Sequence, residues 1–154
     1  MNLNNVDKVW NEFSKLNNID LKFKERSVLQ VTQSHYLINY TNEVATFSFI
    51  GMLSKSLDGN NTNKTSIIIE YKDRLNIADF ELESASKISG VFSGDKTTEF
   101  EKNLIKDLQK FNGKNITLKG EFARIDTEHI FTTIGEFKHV VDLVSKLKTA
   151  ASNA

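Results

Sequence analysis

Apolar residues recur at three- and four-residue steps in three stretches of this chain, and at two-residue steps through most of the rest. Leu3, Val6, Trp10, Phe13 and Leu16 form the first helical stripe, with Asp7, Lys8, Glu12 and Lys15 between them. That spacing predicts a helix over residues 3–17. Asn17-Asn18 is its expected stop, because Asn tolerates the left-handed conformation that ends many helices. From Ile19 to about Val91 the period changes to two. Leu21 and Phe23 alternate with charged residues, Val28, Gln30 and Thr32 face opposite Leu29 and Val31, and Tyr36, Ile38 and Tyr40 alternate with His35, Leu37 and Asn39. Phe47 and Phe49 then share one face, with Thr46, Ser48 and Ile50 on the other. Such alternation of β-branched and aromatic residues predicts half-buried strands.

Polar breaks divide this region. Asn42-Glu43 suits a tight hairpin, and the run from Leu57 to Lys64, rich in Asn, Asp and Gly, reads as a loop. Ile67-Ile68-Ile69 inside the strand Thr65 to Tyr71 predicts burial on both faces and a central place in the sheet. Residues 77 to 92 read as extended. The second helix is the best marked: Thr98 and Glu101 have capping-box spacing, Phe100, Leu104, Leu108 and Phe111 make its stripe, and Asn112-Gly113 ends it. Ile116, Leu118 and Phe122 then fall on one face of a strand, which is expected to pair with 129–134 across Asp126-Thr127-Glu128. A last helix starts near Glu136 and carries Phe137, Val140, Val141, Val144 and Leu147. Thr149 to Ala154 is expected to fray.

The fold class that follows is α+β. It consists of a curved antiparallel sheet of about six to seven strands, packed by an N-terminal helix, a helix over 98–112 and a C-terminal helix. One domain over 1–150 with a mobile tail at 151–154 accounts for the whole pattern. The order of elements in 44–134, three strands, a helix and two strands, is also that of an OB-like barrel.

Composition narrows the functions open to such a domain. The 154 residues include no cysteine, which excludes disulfides, cysteine nucleophiles and thiolate metal sites. Twenty Lys and Arg balance twenty Asp and Glu, so no net field draws the protein to nucleic acid or an anionic membrane. No apolar run approaches the ~20 residues of a membrane span, and the N-terminus lacks the pattern of a secretory signal. The expectation is a cytoplasmic protein with no membrane role. Proline, about 5% of an average chain, is absent, so no rigid linker separates two domains.

Chemistry-bearing patterns are sparse. His35, His129 and His139 lack the close spacing of a zinc site. There is no Walker loop, no Gly-x-Ser-x-Gly and no Gly-x-Gly-x-x-Gly. The sequence therefore predicts no catalytic residue, no metal and no cofactor, and a protein that is not an enzyme. Asp79, Glu81 and Glu83 form the one notable acidic set, since a strand points all three to the same face. They are the candidate protein-binding surface. Residues 96 to 125 carry seven Lys and Arg against four acids. Should a nucleic acid be the partner, Lys110, Lys114, Lys119 and Arg124 would follow phosphates while Phe47, Phe49 or Tyr71 stack on bases. The leading expectation is a non-enzymatic binding protein acting on another protein as inhibitor, immunity protein or adaptor. Single-stranded nucleic-acid binding on an OB-like barrel is the alternative.

Overall fold

Among the described residues, three amphipathic helices lie against one face of an open, curved, seven-stranded antiparallel sheet. The computed structural model describes residues 3–84 and 98–152. A short 3-10 turn, Leu3–Asn5, leads into α1 (Val6–Leu16). Four strands follow in sequence: β1 (Leu21–Val28), β2 (Val31–Thr41), β3 (Ala45–Ser56) and β4 (Thr62–Tyr71). Then come β5 (Phe80–Glu83), α2 (Glu99–Gln109), β6 (Gly113–Lys119), β7 (Phe122–Thr127) and α3 (Ile134–Ser152). The strand order is β1-β2-β3-β4-β7-β6-β5. After β4 the chain therefore crosses to the far margin, lays down β5, and returns inward through α2, β6 and β7.

This order corrects the OB-like expectation. A barrel removes its edges by closing on itself, whereas here β1 and β5 stand at opposite margins of an open sheet. The reason lies in β7, which pairs with β4 and so fills the place beside it.

Period-two patterning sorts the side chains as expected through the centre of the sheet. Phe47, Phe49, Ile67, Ile69, Ile116 and Ile125 are fully buried on the helix side. Each helix adds its own stripe to one continuous core: Val6, Val9, Trp10 and Phe13 from α1, Leu104, Ile105 and Leu108 from α2, and Phe137, Val140, Val144 and Leu147 from α3. Two stripe residues fall outside. Leu16 is exposed, and Phe100, 37% exposed, rests only its edge on Phe80 with ring centroids 6.0 Å apart. Ile105 takes the inward position instead, since α2 presents its middle turns to the sheet and its first turn to solvent. At the start of α2, Thr98 Oγ1 accepts from the Glu101 N–H at 3.1 Å, which is the N-cap the sequence predicts. The helix ends at Gln109, short of residue 112, and Asn112 turns the chain with φ 57°.

The hairpins differ more from expectation. β1 and β2 are joined at Leu29-Gln30, with Leu29 at φ 54°, so Val28 pairs with Val31 instead of continuing one strand. The second turn falls at Gly120-Glu121, where Gly120 adopts φ 62°. Phe122 thus opens a new strand opposite Lys119, on the face opposite Ile116 and Leu118. Residues 129–133 are not a strand. Ile130 and Phe131 are fully buried below β4, held by Asn63 Oδ1 accepting from Ile130 N–H and Thr65 Oγ1 accepting from Phe131 N–H. At the C-terminus α3 continues through the expected tail to Ser152, and Ala151 is buried; residues 153 and 154 lie outside the described range. The extended reading of 77–92 holds for β5, and its part beyond Ser84 lies outside the described residues.

Gly51, in the middle of β3, allows the closest approach between sheet and helix. A Cβ there would sit 2.6 Å from Trp10 Cζ2 and 3.0 Å from Ile130 Cδ1. Gly51→Ala is expected to force the indole off the sheet and to cost about 1–3 kcal/mol by overpacking. A urea denaturation midpoint equal to that of the parent protein would show that Trp10 can retreat freely.

Candidate functional site

The alternation that buries one face of the sheet leaves the other without a helix among the described elements. Cross-strand pairing sets out its surface in rows. One row runs Lys24, His35, Met52, Lys64 across β1 to β4. Another runs Asn39, Ser48, Ile68, Arg124, Thr117, Glu81 from β2 to β5. Ile68 is 42% exposed and Phe122 48% exposed on this face, and Met52 is exposed as well. Ile68 thereby corrects the reading of Ile67-Ile68-Ile69 as buried on both sides. Its two neighbours enter the core, and Ile68 faces outward because nothing described packs on that side.

Charge differs between the two margins of the same face, while Glu70, Lys119, Arg124 and Asp126 mix both signs over its middle. Lys22, Lys24 and Arg26 project from β1, with Lys64 on β4 beyond them, and Glu81 and Glu83 project from β5 at the other margin. Of the three predicted acidic residues, Glu81 and Glu83 share the outer face as the sequence implies, opposite Thr117 and Asn115. Asp79 precedes the strand, and its Oδ1 accepts from the Gly120 N–H at 2.8 Å. It steadies the β6–β7 turn, so its carboxylate is already engaged.

The predicted nucleic-acid residues separate into three groups. Phe47, Phe49 and Tyr71 are core residues; Phe47 and Phe49 stack on each other, and the Tyr71 hydroxyl donates to the Val144 carbonyl on α3. They offer no face to a base. Lys110 lies in the helix layer, where its Nζ is 3.0 Å from Asp107, and Lys114 is exposed at the start of β6. Lys119 and Arg124 do meet, flanking Phe122 in a groove of about 310 Å³ with Ile68 and Thr117. Phe122 is the residue the sequence reading misplaced, since its side is set by the Gly120 turn and not by its spacing from Leu118.

Arg124 is not a loose cation. Its Nε and Nη2 donate to Asp126 at 3.2 and 3.3 Å, and Ser66 Oγ donates to the same carboxylate at 2.7 Å. Burial by itself would lift the Asp126 carboxyl; the hydrogen bonds from Ser66 and Arg124, with the charges of Arg124 and Lys64, outweigh it and hold the group below the ordinary carboxylate range. A second depression of about 300 Å³ lies at the other end of the face, lined by Gln33, His35, Met52, Ser54, Thr62 and Lys64. A cleft of about 390 Å³ between β5 and α2 is lined by Ile77, Phe80, Leu82, Phe100 and Leu104, together with the acidic residues Asp79, Glu81 and Glu101. Among the described residues no group of three or more His, Asp or Glu converges as metal ligands would, and no helix is long and apolar enough to cross a membrane.

Comparison of the chain with protein-family models, with curated proteins and with solved structures finds no match.

Proposed function

We propose that this chain is a non-enzymatic binding protein that acts through a protein–protein surface, as an inhibitor, immunity protein or adaptor does. The observation that carries the reading is the open sheet face, where Ile68, Phe122 and Met52 stand exposed between a basic margin and an acidic one. Apolar residues set among charges supply what an interface uses: a desolvated centre for affinity and a charged rim for orientation. The working place we propose is the cytoplasm.

Tagged protein recovered from its native host should hold a partner that is lost with Ile68→Glu plus Phe122→Glu, and weakened by Glu81→Lys plus Glu83→Lys. Lys138→Glu, on the exposed side of α3, should leave capture intact. All three variants should melt near the parent temperature, because the altered side chains are exposed. Elution of the parent protein alone at every salt concentration would remove the proposal.

A second reading is favoured by one specific arrangement, the exposed Phe122 ring between Lys119 and Arg124. An aromatic on an open sheet flanked by cations is a stacking platform for single-stranded nucleic acid. It predicts binding of a labelled single-stranded oligonucleotide that weakens steeply with salt and is lost with Phe122→Ala or Lys119→Glu. The absence of any polarisation change at low salt would dismiss it.

A further inference from the structure

We propose that the free edge of β1 accepts an extended segment of a partner protein in which acidic and apolar residues alternate. The inference deepens the protein-binding reading and rests on it, but it uses a different part of the sheet. Among the described residues β1 pairs with β2 on one side only and ends the sheet. Its seven residues from Lys22 to Val28 are all exposed. At such an edge the N–H and C=O groups of every second residue point away from the sheet and can hydrogen-bond an added strand.

The side chains specify which strand would fit. Lys22, Lys24 and Arg26 lie on the open face, and their cross-strand neighbours on β2 are Leu37, His35 and Gln33. Among the described residues none of the three cations has an ion-pair partner, and no acidic side chain faces them from β2. On the helix side of the same strand, Leu21 and Phe23 make an apolar shelf, and beyond it Glu25 accepts from Ser34 Oγ at 3.1 Å. Phe23 is 48% exposed, with its ring 5.0 Å from that of Tyr36. An added strand would therefore place carboxylates opposite the cations and apolar side chains beside Phe23. Like charges directly opposite each other on paired strands are destabilising. Two copies joined β1 to β1 in antiparallel register would bring Lys and Arg against Lys and Arg, so the cations that repel a like edge select an acidic one. The chain's own β5, Phe80-Glu81-Leu82-Glu83, has the complementary alternation in miniature, which makes head-to-tail self-association the competing occupant to be tested.

The probes are two fluorescein-labelled peptides, one of eight residues alternating Glu and Val, the other with Lys in place of every Glu. Titrated into the full chain at low salt, the Glu peptide should bind at least about tenfold more tightly than the Lys peptide and weaken as salt rises. Amide shifts in a nitrogen-15 NMR spectrum should concentrate at Leu21–Val28. The triple variant Lys22→Glu, Lys24→Glu, Arg26→Glu should reverse the preference, and Lys24→Glu alone should reduce affinity for the Glu peptide if the triple variant fails to fold. Equal binding of the two peptides, or shifts lying elsewhere, overturns the proposal. So does concentration-dependent sedimentation of the parent chain that the triple variant abolishes, since that assigns the edge to a second copy. Should host capture depend on Ile68 and Phe122 while the Glu peptide fails to bind, the strand addition falls and the protein-binding reading stands. Peptide binding with no host partner removes the protein-binding reading, and the partner segment proposed for this edge falls with it.

Discussion

Trp10→Ala is expected to destabilise the protein by about 3–5 kcal/mol, the range for emptying a large aromatic site in a packed core. Trp10 is fully buried where α1 meets both the sheet and α3. Its ring lies edge-on to Phe137 with centroids 5.0 Å apart and tilted against Tyr36 at 5.5 Å, and it covers the bare backbone of Gly51. Its Nε1–H donates to the buried Phe131 carbonyl at 3.1 Å. Alanine would thus open a cavity between three elements and leave a carbonyl without its donor. A loss of this size is a large share of the 5–15 kcal/mol that holds a typical domain together. Trp10→Phe separates the two contributions, because it keeps most of the ring while removing the N–H, and about 1–3 kcal/mol is expected from that alone. Urea titration followed by far-ultraviolet circular dichroism measures both variants, since the chain has no other tryptophan to report by fluorescence. If Trp10→Ala melts with the parent protein, α1 does not anchor this core.

Phe111→Ala should cost a similar amount, about 3–5 kcal/mol, from a position outside any regular element. Phe111 follows α2 and is fully buried, edge-on to Phe131 at 6.2 Å. The chain reverses at Asn112 and enters β6 at Gly113, where a Cβ would lie 3.0 Å from the Phe111 ring. The side chain therefore locks α2, the start of β6 and the buried Ile130-Phe131 pair together. Lys110→Ala, one residue earlier, is expected to leave the melting temperature nearly unchanged. Its pairing with Asp107 raises the lysine pKa, but the ammonium is in water, where an ion pair is screened and contributes little. Equal shifts from the two substitutions would mean that the turn after α2 carries no core contact.

The three helices, the cap at Thr98 and the inward faces of β3 and β4 were legible in the sequence. Each depends on a local period: side chains three or four apart share a helix face, and side chains two apart share a strand face, whatever lies beyond. The acidic alternation of Glu81 and Glu83 was legible for the same reason, and so in principle was that of Lys22, Lys24 and Arg26.

Three features of the candidate surface were not legible. Leu29-Gln30 carries no Asn-Gly or Asp-Gly signal, so its hairpin is imposed by the pairing of β1 with β2 and not by turn chemistry. Phe122 changed face because Gly120-Glu121, and not Asp126-Thr127-Glu128, forms the turn; a displaced turn reverses which side chains point inward. Ile68 reads like its buried neighbours, since a run of β-branched residues does not say whether a second layer will cover the sheet.

Sequence alone determined which residues form helices and strands and which face of each is apolar, because those are properties of neighbours along the chain. Tertiary structure decided that β7 fills the place beside β4 and that, among the described elements, β1 and β5 remain as edges and one sheet face has no helix upon it. Those outcomes depend on which distant strands pair, and pairing is settled by the packing of the whole core, to which no single stretch of sequence holds the key.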